Sequence, residues 1–331
     1  MKTVIFEIAE WEKDLLQKNL QDAVFTEEDL KSENVSSYSD AEIISTFISS
    51  NINKDIIDKL PDLKLIVTRS TGFDHIDVEY CKSKNIAVSN VPEYGSSTVA
   101  EHTFALLLNL TRKIPQAIEQ IQRLNFDHSQ LKGIDLCEKT IGIIGLGKIG
   151  QHVLRIAQGF GMKVLSYARH QDSELAQRMN FQYKDFDTIL GESDVVTLHL
   201  PLTPETKHII NKDNILKFKR SSYLINTARG GLIETEAILL GLDQGILEGV
   251  GLDVLEEEDE LHEEVSILTK ASQQNINLKT LLYDHILIRH PKVIVTPHNA
   301  FNSKEAMERI LNTTIENIKS FIENKPINIA E

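Results

Sequence analysis

The 331-residue sequence has little cysteine, little aromatic content and no long apolar run. Two cysteines, Cys81 and Cys137, are too few for a disulfide framework, so we interpret them as reduced, buried thiols. Acidic residues and Trp11 interrupt the apolar run at the N-terminus, which argues against a signal peptide, and no segment approaches the length of a membrane span. We therefore expect a soluble, cytoplasmic protein.

Positive charge is also scarce, because 35 Lys and Arg residues face 49 Asp and Glu residues and the formal net charge is -14. So acidic a surface argues against a nucleic-acid partner or an anionic membrane. If the ligand is an anion, a few local Arg and Lys side chains must capture it.

Short β-rich runs alternate with amphipathic stretches in two series. The first contains "KTVIFEI" and "LKLIVTRS", and the second runs from "KTIGIIGLGKIG" to "KVIVTPHNA". This alternation predicts an α/β protein with two doubly wound parallel-sheet domains, Rossmann-like or flavodoxin-like. Residues 256–290 break the rhythm and predict an acidic surface followed by one or two helices.

The stretch "SSTVAEHTFALLLNLTRKIP" between the two series predicts one long helix. Thr98 and Glu101 have the spacing of a capping box, and Pro115 marks the expected end. The helix is apolar on nearly every side after Phe104, which predicts burial between domains or subunits.

A glycine-rich loop opens the second series. Gly145, Gly147 and Gly150 have the spacing G-x-G-x-x-G, after a β-rich run and before a helical pattern. The first glycine allows a tight turn, the second lets the backbone approach a pyrophosphate, and the third permits close packing of helix on strand. The loop therefore predicts a dinucleotide-binding site.

Three titratable residues follow β-rich runs of the second series, namely Arg229, Asp253 and His298. Each alone has a simpler explanation, as a surface charge, a helix cap or a loop histidine. Because ligands bind beyond the carboxyl ends of parallel strands, the three together beside a dinucleotide loop favour a functional site.

These motifs make the sequence resemble the D-isomer-specific 2-hydroxyacid dehydrogenases over almost its whole length. The resemblance is carried by "TRSTGFDHID", "VPEYGSSTVAEH", "GLGKIGQ", "LHLPLT", "INTARGGLI", "GLDVLEEED" and "VTPHNAF". The stretches "GFDHID" and "HNAF" and the insertion before His298 are most similar to the D-lactate dehydrogenase branch. The resemblance implies a discontinuous substrate domain of residues 1–98 plus 300–331, a dinucleotide-binding domain of residues 99–299, and an active-site cleft between them.

The resemblance also implies roles for individual residues. Arg229 would pair with the substrate carboxylate and polarise the keto oxygen, His298 would be the general acid or base, and Glu258, five positions after Asp253, would orient that histidine. The positions that would bind the cofactor, besides the three glycines, are Lys148, Ile149, Leu200, Pro201, Thr206, Thr227, Ala228 and Asp253. The first-domain positions that would meet the substrate are Thr71, Gly72 and Tyr94.

The identity of the acid beside His298 stays open. The family usually has proline after the catalytic glutamate, but here Asp259 follows Glu258. Because Glu258 lies within an acidic run from 256 to 260, a neighbouring acid is the alternative partner.

The expected reaction is the reduction of pyruvate, or another small 2-keto acid, to the D-2-hydroxy acid. A phosphorylated substrate would need a second cation, and Arg69 is the only strong candidate near the first-domain motifs. Phe73, Tyr94 and Phe301 suggest an apolar wall. The alternatives are hydroxypyruvate, glyoxylate or phosphoglycerate as substrate, a formate- or phosphite-type dehydrogenase, and a dinucleotide-sensing, corepressor-like binding protein. No spacing typical of metal ligands is visible, and the resemblance implies a homodimer formed through the apolar helix near residues 98–114.

The stretch "VLSYARHQD" bears on the choice of cofactor. Ala168 occupies the position where NAD-preferring relatives carry aspartate, which binds the ribose hydroxyls and repels a 2′-phosphate. Arg169, together with His170, places positive charge where such a phosphate would lie. We therefore expect NAD(P) as cofactor, with NADP favoured over NAD.

Overall fold

The computed structural model describes residues 1–256 and 278–330, and the chain forms two compact units. The first unit comprises Met1–Tyr94 and Asn302–Glu331, and the second comprises Gly95–Phe301. The first segment of the first unit ends at Tyr94, four residues before the predicted residue 98. Its second segment begins at Asn302, two residues after the predicted residue 300. Strands and helices are numbered below in chain order over the described residues.

The first unit is built on a parallel sheet with the strand order β2-β1-β3-β4-β5. Its strands are β1 (Thr3–Ile5), β2 (Val24–Phe25), β3 (Ile43–Thr46), β4 (Leu65–Thr68) and β5 (Ala87–Ser89). Its helices are α1 (Lys13–Asn19), α2 (Lys54–Ile57), α3 (Val78–Ser83) and, from the far end of the chain, α11 (Lys304–Ile322). Successive strand residues point to opposite faces, so both faces need an apolar cover.

Helix α11 supplies the cover on one face. Leu311, Ile315 and Ile318 recur at helical spacing and pack with Ile5 and Val67 of the strands. The last segment of the chain is thereby part of the core of the first unit.

The second unit contains a longer parallel sheet with the strand order β12-β11-β10-β9-β6-β7-β8. Its strands are β6 (Thr140–Ile144), β7 (Lys163–Tyr167), β8 (Gln182–Tyr183), β9 (Val195–Leu198), β10 (Ser222–Asn226), β11 (Leu247–Leu252) and β12 (Val293–Val295). Its helices are α4 (Ser96–Thr111), α5 (Ile114–Gln122), α6 (Lys148–Gly159), α7 (Ser173–Arg178), α8 (Phe186–Glu192), α9 (Thr235–Asp243) and α10 (Leu278–Ile288).

Both strand orders are doubly wound, and the predicted α/β class is confirmed. In the second unit the order reverses at β6, which lies between β7 and β9. The connections that follow β6 and β9 run in opposite directions, which opens a crevice at the carboxyl ends of these two strands. This class of fold binds its ligands in that crevice. The glycine loop follows β6 directly, so the sequence places it at this switch point.

Helix α4 differs from its prediction at both ends. It begins at Ser96, and the N-cap residue is Gly95, which has no side chain to cap the helix. Thr98 therefore lies inside the first turn, and the predicted capping box is wrong. It ends at Thr111, and Pro115 lies in the first turn of α5, where its missing amide hydrogen costs nothing. Its buried apolar residues, among them Phe104 and Leu107, belong to the core of the second unit itself.

The two cysteines have different environments. Both thiols are free, and Cys81 is buried as expected, but Cys137 is exposed, so that part of the prediction is wrong. Burial raises the pKa of the Cys81 thiol to about 11, which keeps it protonated and unreactive at neutral pH.

Within residues 1–256 and 278–330, no helix combines the length and the apolar character that crossing a bilayer requires.

Candidate functional site

The loop between β6 and α6 has two glycines that the chain itself requires. Gly145 has φ +99°, and a Cβ atom there would lie 2.4 Å from the carbonyl oxygen of His199. A Cβ atom on Gly150 would lie 2.2 Å from the carbonyl oxygen of Gly145. Any side chain at either position would force the backbone apart.

Gly147 lies in the same loop, but its own surroundings would allow a side chain. Its φ of -71° is ordinary, and a Cβ atom would meet nothing within 4 Å. The space above it opens at the N-terminus of α6, where backbone amides and the helix dipole attract an anion. The loop therefore fits the pyrophosphate of a dinucleotide, which needs close access to the backbone at this position.

The other predicted cofactor positions include one that contacts this loop and others that follow β9 and β10. Leu200 packs against Gly145, where a Cβ atom would lie 2.9 Å from its Cδ2 atom. Thr206 Oγ1 donates to the carbonyl oxygen of Pro201 at 2.7 Å and closes the turn after β9. The Thr227 hydroxyl lies 3.0 Å from that of Thr103 on α4, and both are buried.

The half-buried His199 lies against the loop at Gly145. Burial lowers the pKa of His199 to about 3, so its ring is neutral. Its Nε2 atom lies 2.9 Å from the Thr197 hydroxyl, and its carbonyl oxygen is the atom that excludes a side chain from Gly145. His199 therefore shapes the turn without placing a charge beneath it.

Ala168 and Arg169 follow β7, next to the glycine loop. The amide of Gly145 donates to the carbonyl oxygen of Tyr167 at 2.9 Å, which ties the loop to the end of this strand. Ala168 is half-buried, whereas Arg169 and His170 are exposed.

Arg229 follows β10 and is positioned by a clamp in the strand itself. The buried amide side chain of Asn226 donates to the carbonyl oxygen of Arg229 at 2.8 Å and accepts from the amide of Ala228 at 3.0 Å. On the other side, a Cβ atom on Gly230 would lie 1.8 Å from the carbonyl oxygen of Leu255. The backbone of the Arg229 turn therefore lies against the backbone of the segment after β11.

Asp253 follows β11 and holds the turn that carries His298. Its carboxylate accepts from the Thr296 hydroxyl and, at 2.8 Å each, from the amides of Asn299 and Ala300. Its carbonyl oxygen accepts from the amide of His298 at 2.9 Å. Asp253 therefore ties the ends of β11 and β12 into one structure.

Asp253 is ionised although it is almost completely buried. It is 1% exposed, and burial alone would raise its pKa, but hydrogen bonds from the His102 ring, the Thr296 hydroxyl and two backbone amides outweigh this. The net effect lowers the pKa of the carboxyl. A negative charge therefore lies directly behind the His298 turn.

Of the acidic run, only Glu256 lies within the described residues. Its carboxylate accepts from Thr235 at the start of α9 and lies 2.6 Å from His208 Nε2. Because its carboxylate is bound to Thr235 and His208, Glu256 is not a good candidate for the acid beside His298. Glu258, the predicted partner, lies outside the described residues, as do Glu257, Asp259 and Glu260.

The substrate positions named in the first unit lie beyond the ends of its strands. Thr71 and Gly72 follow β4, and the Thr71 hydroxyl donates to the carbonyl oxygen of Val91 at 2.8 Å. Tyr94 lies in the loop that follows β5, and its carbonyl oxygen accepts from Arg309 Nε at 2.6 Å. Phe73 packs partly into the core of this unit.

Arg69 has a structural role that the sequence left open. It is 1% exposed, and its guanidinium donates to the carbonyl oxygens of Phe6 at 2.9 Å and Glu7 at 2.7 Å. Burial lowers its pKa, while Glu12 and Glu7 act in the opposite direction. The guanidinium of Arg69 is thus committed to the backbone.

Sequence reasoning missed three supporting contacts: the Asn226 clamp, the pair of Glu256 with His208, and the contact of His102 with Asp253. Each joins residues that are distant along the chain or that form no known pattern. The only signal was that His102 and Asn226 fall inside the motifs "VPEYGSSTVAEH" and "INTARGGLI".

The fold and the loop are those of a dinucleotide-binding protein. The profile of the D-isomer specific 2-hydroxyacid dehydrogenases, NAD binding domain, matches residues 104–300. The chain therefore belongs to the D-isomer specific 2-hydroxyacid dehydrogenase family, and it is an oxidoreductase that uses a nicotinamide dinucleotide.

Three relatives illustrate the similarity. A 2-hydroxyacid dehydrogenase homolog of Zymomonas mobilis is 34% identical and covers 96% of both chains. The glycerate dehydrogenase of Methylorubrum extorquens is 36% identical over 84% of this chain and 82% of its own. The solved D-lactate dehydrogenase of Aquifex aeolicus, complexed with NAD and lactic acid, is 35% identical, has a TM-score of 0.84, and is aligned over 98% of this chain and 96% of its own.

The different environments of the loop glycines give a matched test. Gly147→Ala should change the free energy of unfolding by less than about 0.5 kcal/mol, since the new methyl group meets no protein atom. It should raise the Kd for NADH at least about tenfold, because the methyl group fills space that the pyrophosphate needs. Urea denaturation and NADH fluorescence titration measure the two effects.

Gly150→Ala is the control, because its methyl group would meet the Gly145 carbonyl oxygen. It should lower the free energy of unfolding by about 1–3 kcal/mol. An unchanged Kd for NADH in Gly147→Ala would contradict the proposed pyrophosphate site at this loop.

Proposed function

We propose that this chain reduces pyruvate, or another small unphosphorylated 2-keto acid, to the D-2-hydroxy acid and catalyses the reverse oxidation. The observation that carries the proposal is the position of Arg229, Asp253 and His298. They follow β10, β11 and β12, three adjacent strands of the sheet that also carries the dinucleotide loop. A cation and an imidazole at one sheet edge match two groups that such a reaction requires, and the Asp253 carboxylate holds the turn that carries the imidazole.

Each residue has one task in the proposed reaction. The planar guanidinium of Arg229 binds the substrate carboxylate through paired hydrogen bonds and polarises the adjacent carbonyl. The cofactor, when bound, supplies the hydride for reduction and accepts it in oxidation. His298 donates a proton to the keto oxygen as that oxygen gains charge, and takes it back in the reverse direction. Glu258 is proposed to orient the His298 ring and to favour its protonated form.

The environment of Arg69 supports an unphosphorylated substrate. A phosphate group needs a cation of its own, and Arg69 was the one strong candidate near the first-unit motifs. Since its guanidinium is buried and bound to two backbone carbonyls, it is not available for that purpose.

A rate comparison tests the proposed activity. With NADH or NADPH in excess, kcat/KM should be higher for pyruvate than for glyoxylate, hydroxypyruvate or 3-phosphohydroxypyruvate. His298→Ala should lower kcat at least about a hundredfold, because it removes the proton donor, while the Kd for the cofactor stays within about twofold. His128→Ala, which removes an exposed histidine outside the residues assigned to the site, is the control and should leave turnover unchanged.

Two outcomes would contradict this proposal. A higher kcat/KM for the phosphorylated substrate would exclude the small-acid assignment. A wild-type protein that binds cofactor but turns over none of these acids would favour a binding protein.

We further propose that NADPH is preferred over NADH. Ala168 leaves no carboxylate for the ribose hydroxyls, and exposed Arg169 offers a charge to a 2′-phosphate. A counter-charge lies nearby: the pKa of Glu205 is lowered first by a hydrogen bond from the Thr203 hydroxyl and also by the charge of Arg169. Glu205 would therefore oppose a bound phosphate and moderate the preference.

Three variants test the cofactor preference. Wild type should have a higher kcat/KM with NADPH, and Ala168→Asp combined with Arg169→Ala should reverse the order. Glu205→Gln should increase the preference for NADPH by about fivefold, roughly the effect of one exposed charge. A wild-type enzyme that prefers NADH would refute this interpretation of Ala168 and Arg169.

We propose a homodimer as well, formed by α5 and the residues after it rather than by α4. No residue of α5 is buried, and its apolar residues recur at i, i+4 and i+7. The exposed fractions are large for apolar side chains: Ile114 42%, Ile118 54%, Ile121 48%, Leu124 82% and Phe126 77%. A second copy of this chain offers the same apolar strip, as a two-fold interface requires.

Sedimentation velocity tests the dimer. Wild type should sediment at twice the chain mass, and Ile118→Lys should shift it to the monomer because a charge would be buried at the interface. The control is Leu216→Lys, which alters another exposed leucine of the second unit, 56% exposed. A monomeric wild type, or a dimer unaffected by Ile118→Lys, would exclude this surface.

A further inference from the structure

We propose that His102 of α4 is a positioning residue of the reaction: its ring holds the Asp253 carboxylate and the Thr296 hydroxyl, and through them the turn that carries His298. The proposal rests on the proposed catalytic role of His298. It assigns to α4 a task beyond packing in the core of the second unit.

The His298 turn needs external support. His298 has φ +49°, in the left-handed region that non-glycine residues adopt only at a cost in free energy. Asp253 provides the support, since residues 298, 299 and 300 all donate their backbone amides to it. Movement of Asp253 would therefore move the imidazole of His298.

His102 contacts both Asp253 and the Thr296 hydroxyl that donates to it. Its Nε2 atom is 3.0 Å from Thr296 Oγ1 and 3.4 Å from Asp253 Oδ1. The hydroxyl hydrogen of Thr296 is donated to Asp253, so the hydrogen between Thr296 and His102 must come from the ring. Nε2 of His102 therefore carries a hydrogen, whether the ring is neutral or protonated, and it points at both oxygens.

Water is a poor substitute for this donor. The Asp253 side chain is 1% exposed and the His102 side chain is 20% exposed, so the contact is largely shielded from solvent. A buried carboxylate that loses a donor must find another or shift its position, since an unsatisfied charged group is costly. The flanking α4 residues Thr103, Phe104 and Leu106 are buried, so neighbouring packing fixes where the ring stands.

The contact lies at the opposite side of the site from the pyrophosphate loop. The glycines that hold the dinucleotide follow β6, whereas Asp253 and Thr296 follow β11 and β12. Loss of the His102 contact should therefore affect the proton-transfer geometry more than cofactor affinity. A displacement of about 1 Å at a reacting group can reduce rate by about a hundredfold.

The test compares a variant that keeps a donor with one that removes it. His102→Leu removes the donor at similar volume and should lower kcat by about ten- to a hundredfold, as for other supporting contacts of catalytic groups. His102→Gln retains an N–H donor and should keep kcat within about threefold of wild type. The Kd for NADH should stay within about twofold in both, and circular dichroism should show folded protein.

A matched control and a second variant guard against a folding defect. Asn109→Leu places the same new side chain on α4, where Asn109 Nδ2 donates to the carbonyl oxygen of Ala105 in the same helix, and kcat should not change. If His102→Leu does not fold, Thr296→Val should lower kcat and Thr296→Ser should restore it, because the hydroxyl links the ring to Asp253.

Equal losses of kcat in His102→Leu and His102→Gln would overturn the proposal. So would full activity in His102→Leu, or a rise in the Kd for NADH that matches the loss of kcat. Long-range proton–nitrogen spectra of the histidine rings separate this failure from that of the proposed function. Even without turnover, wild type should show Nε2 of His102 protonated, and the His298 signals should shift in His102→Leu but not in His102→Gln.

Discussion

The Asp253 carboxylate is the interaction on which the His298 side of the site depends. A buried charge is stable only when donors surround it, and here the donors come from the turn after β12 and from α4. The need to satisfy one carboxylate thus sets the positions of several separate segments. It also explains how His298 can keep a left-handed backbone conformation that it would not adopt alone.

The dinucleotide side of the site follows a different constraint, which is space. Gly145 and Gly150 are glycines because the protein's own backbone approaches them, whereas Gly147 has room for a side chain and still lacks one. Because Gly147 lies in the dinucleotide loop, its glycine is explained by the space that a bound pyrophosphate needs. The two sides of the site therefore depend on different features: hydrogen bonds to a buried carboxylate on the His298 side, and room beside Gly147 on the dinucleotide side.

The parts of the molecule that local sequence patterns encode were predicted well. Strand runs, the glycine loop and the residues that end each strand are readable because each depends on a few consecutive side chains. The capping box at Thr98 and Glu101 was wrong because the same letters occur inside a helix that starts earlier, at Ser96. The burial of Cys137 was wrong because exposure of a single residue has no local pattern.

Contacts through space had no such signal. His102 and Asp253 are separated by half the chain, and Arg69 looked like a free cation until its partners, the Phe6 and Glu7 carbonyls, were seen. Backbone carbonyls carry no residue identity, so no sequence pattern can show that they have claimed a guanidinium. The role of a charged residue beside a motif therefore depends on backbone contacts that only the fold determines.

The acidic character of the chain does not prevent it from binding an anionic substrate. At physiological ionic strength charges more than about 8 Å apart are largely screened at the surface, so the net charge of -14 acts weakly at any one point. The local arrangement decides, and there Asn226 and Gly230 hold the backbone of Arg229 from both sides. A guanidinium on a rigid turn loses little entropy when a carboxylate binds, which favours Arg229 for the carboxylate-binding role proposed for it.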